Sequence, residues 1–136
     1  MENDRLTEGI IGCCFNVHAE LGPGFPEKIY QHALEKALED AHIPFASERL
    51  FRVSFQGTSI GSFKVDLLVD GCVIVEVKAV TGMLPKVFEA QVIAYLKAAE
   101  IPVGLLVNFG NVSCQIRRLM MAARASDRRN RFSKSP

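Results

Sequence analysis

The sequence predicts an α/β domain in which helices flank one mixed sheet of about five strands. Two stretches near the start of the chain, and one further on, repeat apolar residues every three or four positions, which is typical of amphipathic helices. The other stretches are rich in Val, Leu, Ile and Phe and are bounded by Gly, Pro and Asp, which is typical of strands. The resulting order is helix, helix, three strands, helix, two strands.

The first two helices precede every strand. Apolar residues at helical spacing predict a helix over residues 4–21, and the sequence GPG that begins at Gly22 ends it. Pro26 suits the first turn of a second helix, because its fixed φ is helical and that turn does not need the missing N–H. We expect this helix to end at about Asp40.

The remaining elements continue the alternation of strand and helix patterns. We predict strands over residues 48–55, 60–69 and 72–79, a helix over 85–99, a strand between Pro102 and Gly110, and a last strand over 112–119. The strand before Gly110 is apolar enough to lie inside the sheet, parallel to a neighbour.

The composition indicates one cytoplasmic domain. The chain has 136 residues, of which 49% are hydrophobic and 23% charged, and this suits a single core. No apolar run approaches the ~18 residues that span a bilayer, and the N-terminus lacks the layout of a signal peptide, so no membrane association is expected. The four cysteines lack CxxC spacing, so we expect buried free thiols rather than a metal site.

The net charge of +1 hides a basic C-terminal segment. Residues 117–136 carry seven Lys/Arg and one Asp, whereas the preceding 116 residues carry nine Lys/Arg and fourteen Asp/Glu. We expect residues 1–119 to form the domain and residues 120–136 to form a disordered basic tail. Such a tail can contact phosphates, or it can simply keep the protein in solution.

Charged residues interrupt the apolar stretch DLLVDGCVIVEVKAV, residues 66–80. Asp66, Glu76 and Lys78 stand among residues that otherwise suit a buried strand pair. Unpaired charges are costly to bury, so such side chains lie in a core only when they are paired or bind a metal. Glu76 and Lys78 are two positions apart and share one face of a strand, while Val77 and its alternate neighbours take the other face.

Whether Asp66 shares that face depends on the turn that contains Gly71. A turn of residues 70–71 would place Asp66 on the opposite face from Glu76. A three-residue turn, residues 69–71 with Gly71 left-handed, would place Asp66 diagonal to Glu76 on the same face. Because Gly readily adopts the left-handed conformation, we predict the longer turn, or a bulge with the same effect on side-chain parity.

Two carboxylates and a lysine on one face suit a Mg²⁺ or Mn²⁺ site. Mg²⁺ prefers one or two carboxylates, several waters and a substrate phosphate, and a lysine beside it can orient the attacking water. The alternative is a plain Glu–Lys or Asp–Lys ion pair at the end of a sheet. The spacing of the three residues does not by itself decide between these readings.

Three motifs in the right order give the sequence a resemblance to a known family. GFPEKIY, residues 24–30, has the form Gly-x-x-Glu-x-x-Tyr and resembles the first motif of the GxxExxY protein family, within the PD-(D/E)xK nuclease superfamily. VDLLVDGCVIVEVKAV, residues 65–80, resembles the second motif, and residues 89–110 resemble the third. The resemblance covers about residues 6–119 and implies a restriction-endonuclease-like core.

The resemblance also implies roles for individual residues. Asp66 and Glu76 would be the metal carboxylates, and the backbone carbonyl of Val77 would add a ligand. Lys78 would position or activate the water. Glu27, at the start of its helix, would be an extra metal ligand or would hold a water.

Two tyrosines and a glutamine complete the implied site. Gln91 and Tyr95 match the Gln-x-x-x-Tyr helix that some nucleases of the superfamily place beside the metal, and Tyr30 belongs to the first motif. Each pair, Glu27 with Tyr30 and Gln91 with Tyr95, shares a helix face. Both tyrosines have the alternative of being core aromatics with a hydrogen-bonded hydroxyl.

The function implied by the resemblance is Mg²⁺- or Mn²⁺-dependent hydrolysis of phosphodiester bonds in nucleic acid, with DNA as the expected substrate. The alternative is a catalytically silent domain on the same fold that binds nucleic acid, regulates, or serves as a partner subunit. The body of the domain has no large basic face. A homodimer is therefore expected, since so small a nuclease would need a second subunit to follow a duplex.

Overall fold

The computed structural model describes the backbone of residues 2–121 and the side chains of residues 4–121. Its elements in chain order are helix α1 (Glu2–Leu21), helix α2 (Glu27–Asp40), strand β1 (Phe45–Phe55), strand β2 (Thr58–Val69), strand β3 (Val73–Lys78), helix α3 (Val87–Ala99), strand β4 (Val103–Asn108) and strand β5 (Gln115–Met120). The order and type of the elements confirm the predicted α/β fold class.

The C-terminal boundary differs slightly from the prediction. Strand β5 continues to Met120, one residue beyond the expected end of the domain. The backbone N–H of Met121 then donates to the carbonyl of Pro102 at 3.0 Å, which joins the end of β5 to the start of β4. The rest of the predicted basic tail lies outside the described residues.

Within residues 2–121 the strands form one mixed sheet in the order β1-β2-β3-β4-β5. The pairs β1–β2, β2–β3 and β4–β5 are antiparallel, and β3–β4 is parallel. Helix α3 is the crossover that a parallel pair requires. Strand β4 is buried along its whole length, so its predicted place inside the sheet, parallel to a neighbour, is confirmed.

Two apolar cores lie on opposite faces of the sheet. On one face, Val75 and Val77 of β3 pack with side chains of α1 and α2, among them Leu34. On the other face, Ile74 packs with α3 side chains such as Leu96. Because alternate residues of β3 enter different cores, Glu76 and Lys78 belong to the α3 face, as strand parity predicted.

Two of the four cysteines, Cys13 and Cys14, are buried as predicted, whereas Cys72 and Cys114 are only partly buried. Burial raises the pKa of the Cys14 thiol far above its ordinary value, which makes it a poor nucleophile. No helix in the described part of the chain has the length and apolar character needed to cross a membrane.

Candidate active site

The register of β2 and β3 brings Asp66 and Glu76 directly opposite each other. The ladder runs to the pair Leu67–Val75, so the next position across the two strands is Asp66 with Glu76. The predicted register, in which Asp66 was diagonal to Glu76, was wrong by two residues. Because a shift of two residues preserves side-chain parity, the prediction that both acids share one face holds.

The turn explains the difference in register. Asp70 and Gly71 are both left-handed, with φ of 51° and 69°, and the Cys72 N–H donates to the Val69 carbonyl at 3.0 Å. The residue that pairs with Val69 is Val73, so Cys72 is an extra, bulged residue. The turn has three residues, so side chains alternate between the two faces as predicted. The residues of the turn, however, are 70–72 rather than 69–71.

The two carboxylates are tied to the backbone of each other's strand. The Asp66 N–H donates to Glu76 Oε2 at 2.7 Å, and the Val77 N–H donates to Asp66 Oδ2 at 2.8 Å. Each carboxylate therefore accepts the hydrogen bond that a main-chain carbonyl would accept elsewhere in an antiparallel ladder. These bonds hold both acids in fixed positions and leave Asp66 Oδ1 and Glu76 Oε1 outside them.

Glu76 is a buried acid with a strongly perturbed proton affinity. Its side chain is 5% exposed, and burial, followed by the charge of Asp66, raises its pKa from 4.5 to about 7. The bond from the Asp66 N–H and the charge of Lys78 act in the opposite direction. A second positive charge beside the two acids would stabilise the ionised pair, which is the condition that a cation site requires.

Lys78 lies near the acids without forming an ion pair with either of them. Its Nζ is 4.3 Å from the centroid of the Phe88 ring, at the start of α3. All the ion pairs among residues 4–121 join other side chains. The alternative of a plain ion pair between Lys78 and Glu76 or Asp66 therefore does not describe this site. The ammonium is held by the ring and remains available to a further negative group.

Glu27 lies within electrostatic reach of the acids but does not join them. It is the first residue of α2, is exposed, and contributes weakly to the raised pKa of Glu76. In the described part of the chain, no three His, Cys, Asp or Glu side chains form a group that could hold a metal ion. The site therefore offers two carboxylates, Asp66 and Glu76, and the role of Glu27 stays a prediction.

Tyr30 is a buried structural residue. Its hydroxyl donates to the Gly22 carbonyl at 2.5 Å and accepts from the Phe25 N–H at 3.2 Å, while its ring stacks on Phe109 with centroids 4.7 Å apart. These bonds fix the loop that leads into α2 and so set where Glu27 begins the helix. Its contacts are therefore those of a core aromatic residue with a hydrogen-bonded hydroxyl, which was the alternative to a role in the site.

We expect Tyr30→Phe to lower the free energy of unfolding by about 1–2 kcal/mol, because two polar groups of a partly exposed loop lose their partner. Denaturant unfolding measures this loss, and Mn²⁺ affinity should stay within about twofold of wild type. A variant that loses metal binding while keeping its stability would instead give Tyr30 a direct role in the site.

Helix α3 brings Tyr95 close to the carboxylates. Tyr95 is half-buried and stacks on Phe63 with centroids 4.2 Å apart, and burial followed by the charges of Glu76 and Asp66 raises its pKa. Gln91 lies one turn earlier on the same helix and is exposed. The structure thus brings Tyr95 into electrostatic contact with the acids, while the role of Gln91 stays a prediction.

A buried asparagine that no sequence pattern predicted lies beside the site. Asn108, at the end of β4, accepts from the N–H groups of Val80 and Gly110 at 2.8 and 3.1 Å and donates to the Val80 carbonyl at 2.9 Å. A Cβ at Gly110 would lie 2.4 Å from the Val80 carbonyl oxygen, so only glycine fits there. Together these contacts clamp the segment that follows Lys78. The sequence feature that could have indicated Asn108 is a single amide at the end of an apolar strand, next to a Phe-Gly pair.

Comparison with known proteins adds evidence on the family and the fold. Residues 4–119 match a family model described as the PD-(D/E)XK nuclease superfamily. The chain is similar to a solved structure titled "Crystal structure of SSO0001", with a TM-score of 0.57 and 16% identity, over 80% of this chain and 59% of that one. This chain therefore covers less than two thirds of that protein, and the likeness concerns the fold alone. The search of curated proteins gave no match.

Proposed function

We propose that this chain, which belongs to the PD-(D/E)XK nuclease superfamily, is a metal-dependent nuclease that hydrolyses phosphodiester bonds, with DNA as its substrate. The observation that carries this proposal is the pair of acids opposite each other on β2 and β3, each bonded to the other strand's backbone. The Gly-x-x-Glu-x-x-Tyr spacing of residues 24–30 supports a finer placement in the GxxExxY family.

The donor set fits a hard divalent cation such as Mg²⁺ or Mn²⁺. Asp66 and Glu76 supply oxygen ligands, and the backbone carbonyl of Val77 would add a third. The raised pKa of Glu76 supports this fit, since a cation would relieve the repulsion between the two acids. When bound, the cation supplies Lewis-acid polarisation of the phosphate and a more acidic water.

The residues around the acids supply positioning and charge. Lys78 extends from the same face as Glu76 and carries a positive charge that can hold the attacking water or offset charge that develops on the phosphate. Glu27 would hold a water at the mouth of the site. Gln91 and Tyr95 would line the α3 side, where Tyr95 already lies within electrostatic reach of both acids.

Two further expectations belong to the proposal. A homodimer would provide the second subunit that a domain of this size needs to follow a duplex. A cytoplasmic location agrees with four cysteines that form no disulfide, since oxidising compartments favour disulfides.

A cleavage panel tests the proposal. The chain is incubated with single- and double-stranded DNA and RNA in Mg²⁺, Mn²⁺ or EDTA, alongside Lys78→Ala and the control Lys97→Ala, which removes an exposed lysine of α3. We expect metal-dependent cleavage by wild type and by the control, and a loss of about 10²–10³-fold in Lys78→Ala, the effect typical of removing one group that stabilises the transition state. Binding without cleavage under every condition would instead indicate a catalytically silent domain.

A further inference from the structure

The β1–β2 hairpin is longer than the rest of the sheet and projects from the body of the domain. Strands β1 and β2 have 11 and 12 residues, whereas β3, β4 and β5 have six each. Every residue from 54 to 62 is exposed, and β1 is an edge strand. Asp66 lies near the base of this hairpin, eight residues after its tip at Thr58, which corresponds to about 26 Å of strand.

The charge of the hairpin differs from that of the rest of the domain. Residues 49–65 contain Arg49, Arg52 and Lys64 and no acid, whereas residues 1–48 and 66–116 contain six Lys/Arg and fourteen Asp/Glu. All three cations are exposed. Glu48, at the base, lies 3.3 Å from the Lys64 ammonium, but it also lies 2.6 Å from that of Lys28, so the base as a whole stays positive.

A stack of aromatic rings joins the hairpin to the acids. The Arg49 guanidinium lies 4.8 Å from the centroid of the Phe51 ring, Phe51 stacks on Phe63 at 5.5 Å, and Phe63 stacks on Tyr95 at 4.2 Å. The three rings belong to the core on the α3 face, the face of Glu76. The stack therefore fixes the base of the hairpin relative to the site, with Arg49 on the face of the rings and with Arg52 and Lys64 on the opposite face of the hairpin.

We infer that the hairpin is an arm that binds the nucleic acid strand as it leaves the carboxylate pair, with Arg49, Arg52 and Lys64 in contact with its phosphates. The inference rests on the proposed function and names the surface that would hold its substrate. Exposed cations complement phosphates, and exposed apolar side chains of the hairpin, Leu50, Phe55 and Ile60, suit contact with bases. An arm of about 26 Å matches seven or eight nucleotides at about 3.4 Å each.

The test compares two triple variants of equal charge. Arg49→Gln/Arg52→Gln/Lys64→Gln removes the cations of the arm, and Arg5→Gln/Lys36→Gln/Lys97→Gln removes three exposed cations from the helices. Binding of a labelled 20-nucleotide DNA is measured by fluorescence anisotropy in EDTA at several salt concentrations. We expect the arm variant to bind at least about tenfold more weakly, with a salt slope lower by about 2–3, and the control to bind within about twofold of wild type. Equal losses in both variants would overturn the inference.

Two further measurements separate the arm from the nuclease proposal and from a protein interface. Hydrolysis of bis(p-nitrophenyl) phosphate with Mn²⁺ probes the acids alone, because so small a diester cannot reach the arm, and the arm variant should match wild type. If wild type hydrolyses nothing while the arm variant still loses DNA binding, the nuclease proposal fails and the arm stands. The arm variant could also change from dimer to monomer in sedimentation. If a wild-type sample diluted to the monomer then binds DNA as weakly as the arm variant does, the hairpin is a subunit interface and the inference fails.

Arg52→Glu alone, an exposed charge reversal, should reproduce the weaker binding if the triple variant folds poorly.

Discussion

Glu76→Gln will abolish metal-dependent cleavage while making the metal-free protein more stable above neutral pH. Burial and the Asp66 charge raise the pKa of Glu76 from 4.5 to about 7, so between these values the folded state holds a proton that the unfolded state has released. The free energy of unfolding therefore falls as pH rises through this window and stays low above it. A difference of this size corresponds to about 3 kcal/mol. Glutamine does not ionise, and its amide oxygen can still accept from the Asp66 N–H.

Denaturant unfolding in EDTA at pH 4.5, 6 and 8 measures this effect. We expect Glu76→Gln to match wild type at pH 4.5 and to exceed it by about 2–3 kcal/mol at pH 8. The control Glu8→Gln removes an exposed acid of α1 and should differ from wild type by the same small amount at every pH. A Glu76→Gln protein that is less stable than wild type at pH 8 would show that the ionised carboxylate is a net stabilising group.

Asn108→Leu will destabilise the fold by about 3 kcal/mol or more. The substitution keeps the branched shape of the side chain but leaves the N–H groups of Val80 and Gly110 and the Val80 carbonyl without their partner, and each such group costs about 1–3 kcal/mol when it is shielded from water. The clamped segment follows Lys78 directly, so its loosening should also reduce cleavage at temperatures where the protein remains folded.

Asn111→Leu is the matched control for Asn108→Leu. Asn111 makes a similar pair of bonds to Gly82, accepting from its N–H at 2.8 Å and donating to its carbonyl at 2.9 Å, but these bonds are exposed. Water can replace the lost partner, so we expect a loss of about 1 kcal/mol. Thermal and denaturant unfolding of both variants checks this comparison. Equal losses of stability would mean that burial does not increase the contribution of the Asn108 bonds.

The fold was predictable because its helices and strands are amphipathic or uniformly apolar, and these patterns can be recognised in the sequence. The face shared by Glu76 and Lys78 follows from strand parity alone. The register opposite Asp66 does not, because turns of residues 69–71 and 70–72 give the same parity and differ only in which residue is bulged. The choice depends on Asp70 adopting a left-handed backbone beside Gly71, and a sequence pattern does not specify this.

The candidate site was predictable in its charged residues and less so in their supports. Glu27 and Tyr30 share a helix face, yet burial separates them, since Tyr30 is enclosed by core and loop while Glu27 is exposed. Asn108 was not predictable, because a single amide at the end of an apolar strand resembles an ordinary strand terminus. Its importance arises from the Val80 and Gly110 backbones, which only the folded chain brings together.

Calorimetric titration of Mn²⁺ into wild type and Glu76→Gln at pH 8 tests most directly whether the opposed acids form a cation site. We predict that wild type binds the ion and that Glu76→Gln binds it at least about tenfold more weakly, since one of two charged ligands is lost. Wild-type affinity should also fall between pH 8 and pH 6, because below about 7 a proton on Glu76 competes with the metal. Equal affinity in the two proteins, or no binding to either, would contradict the account.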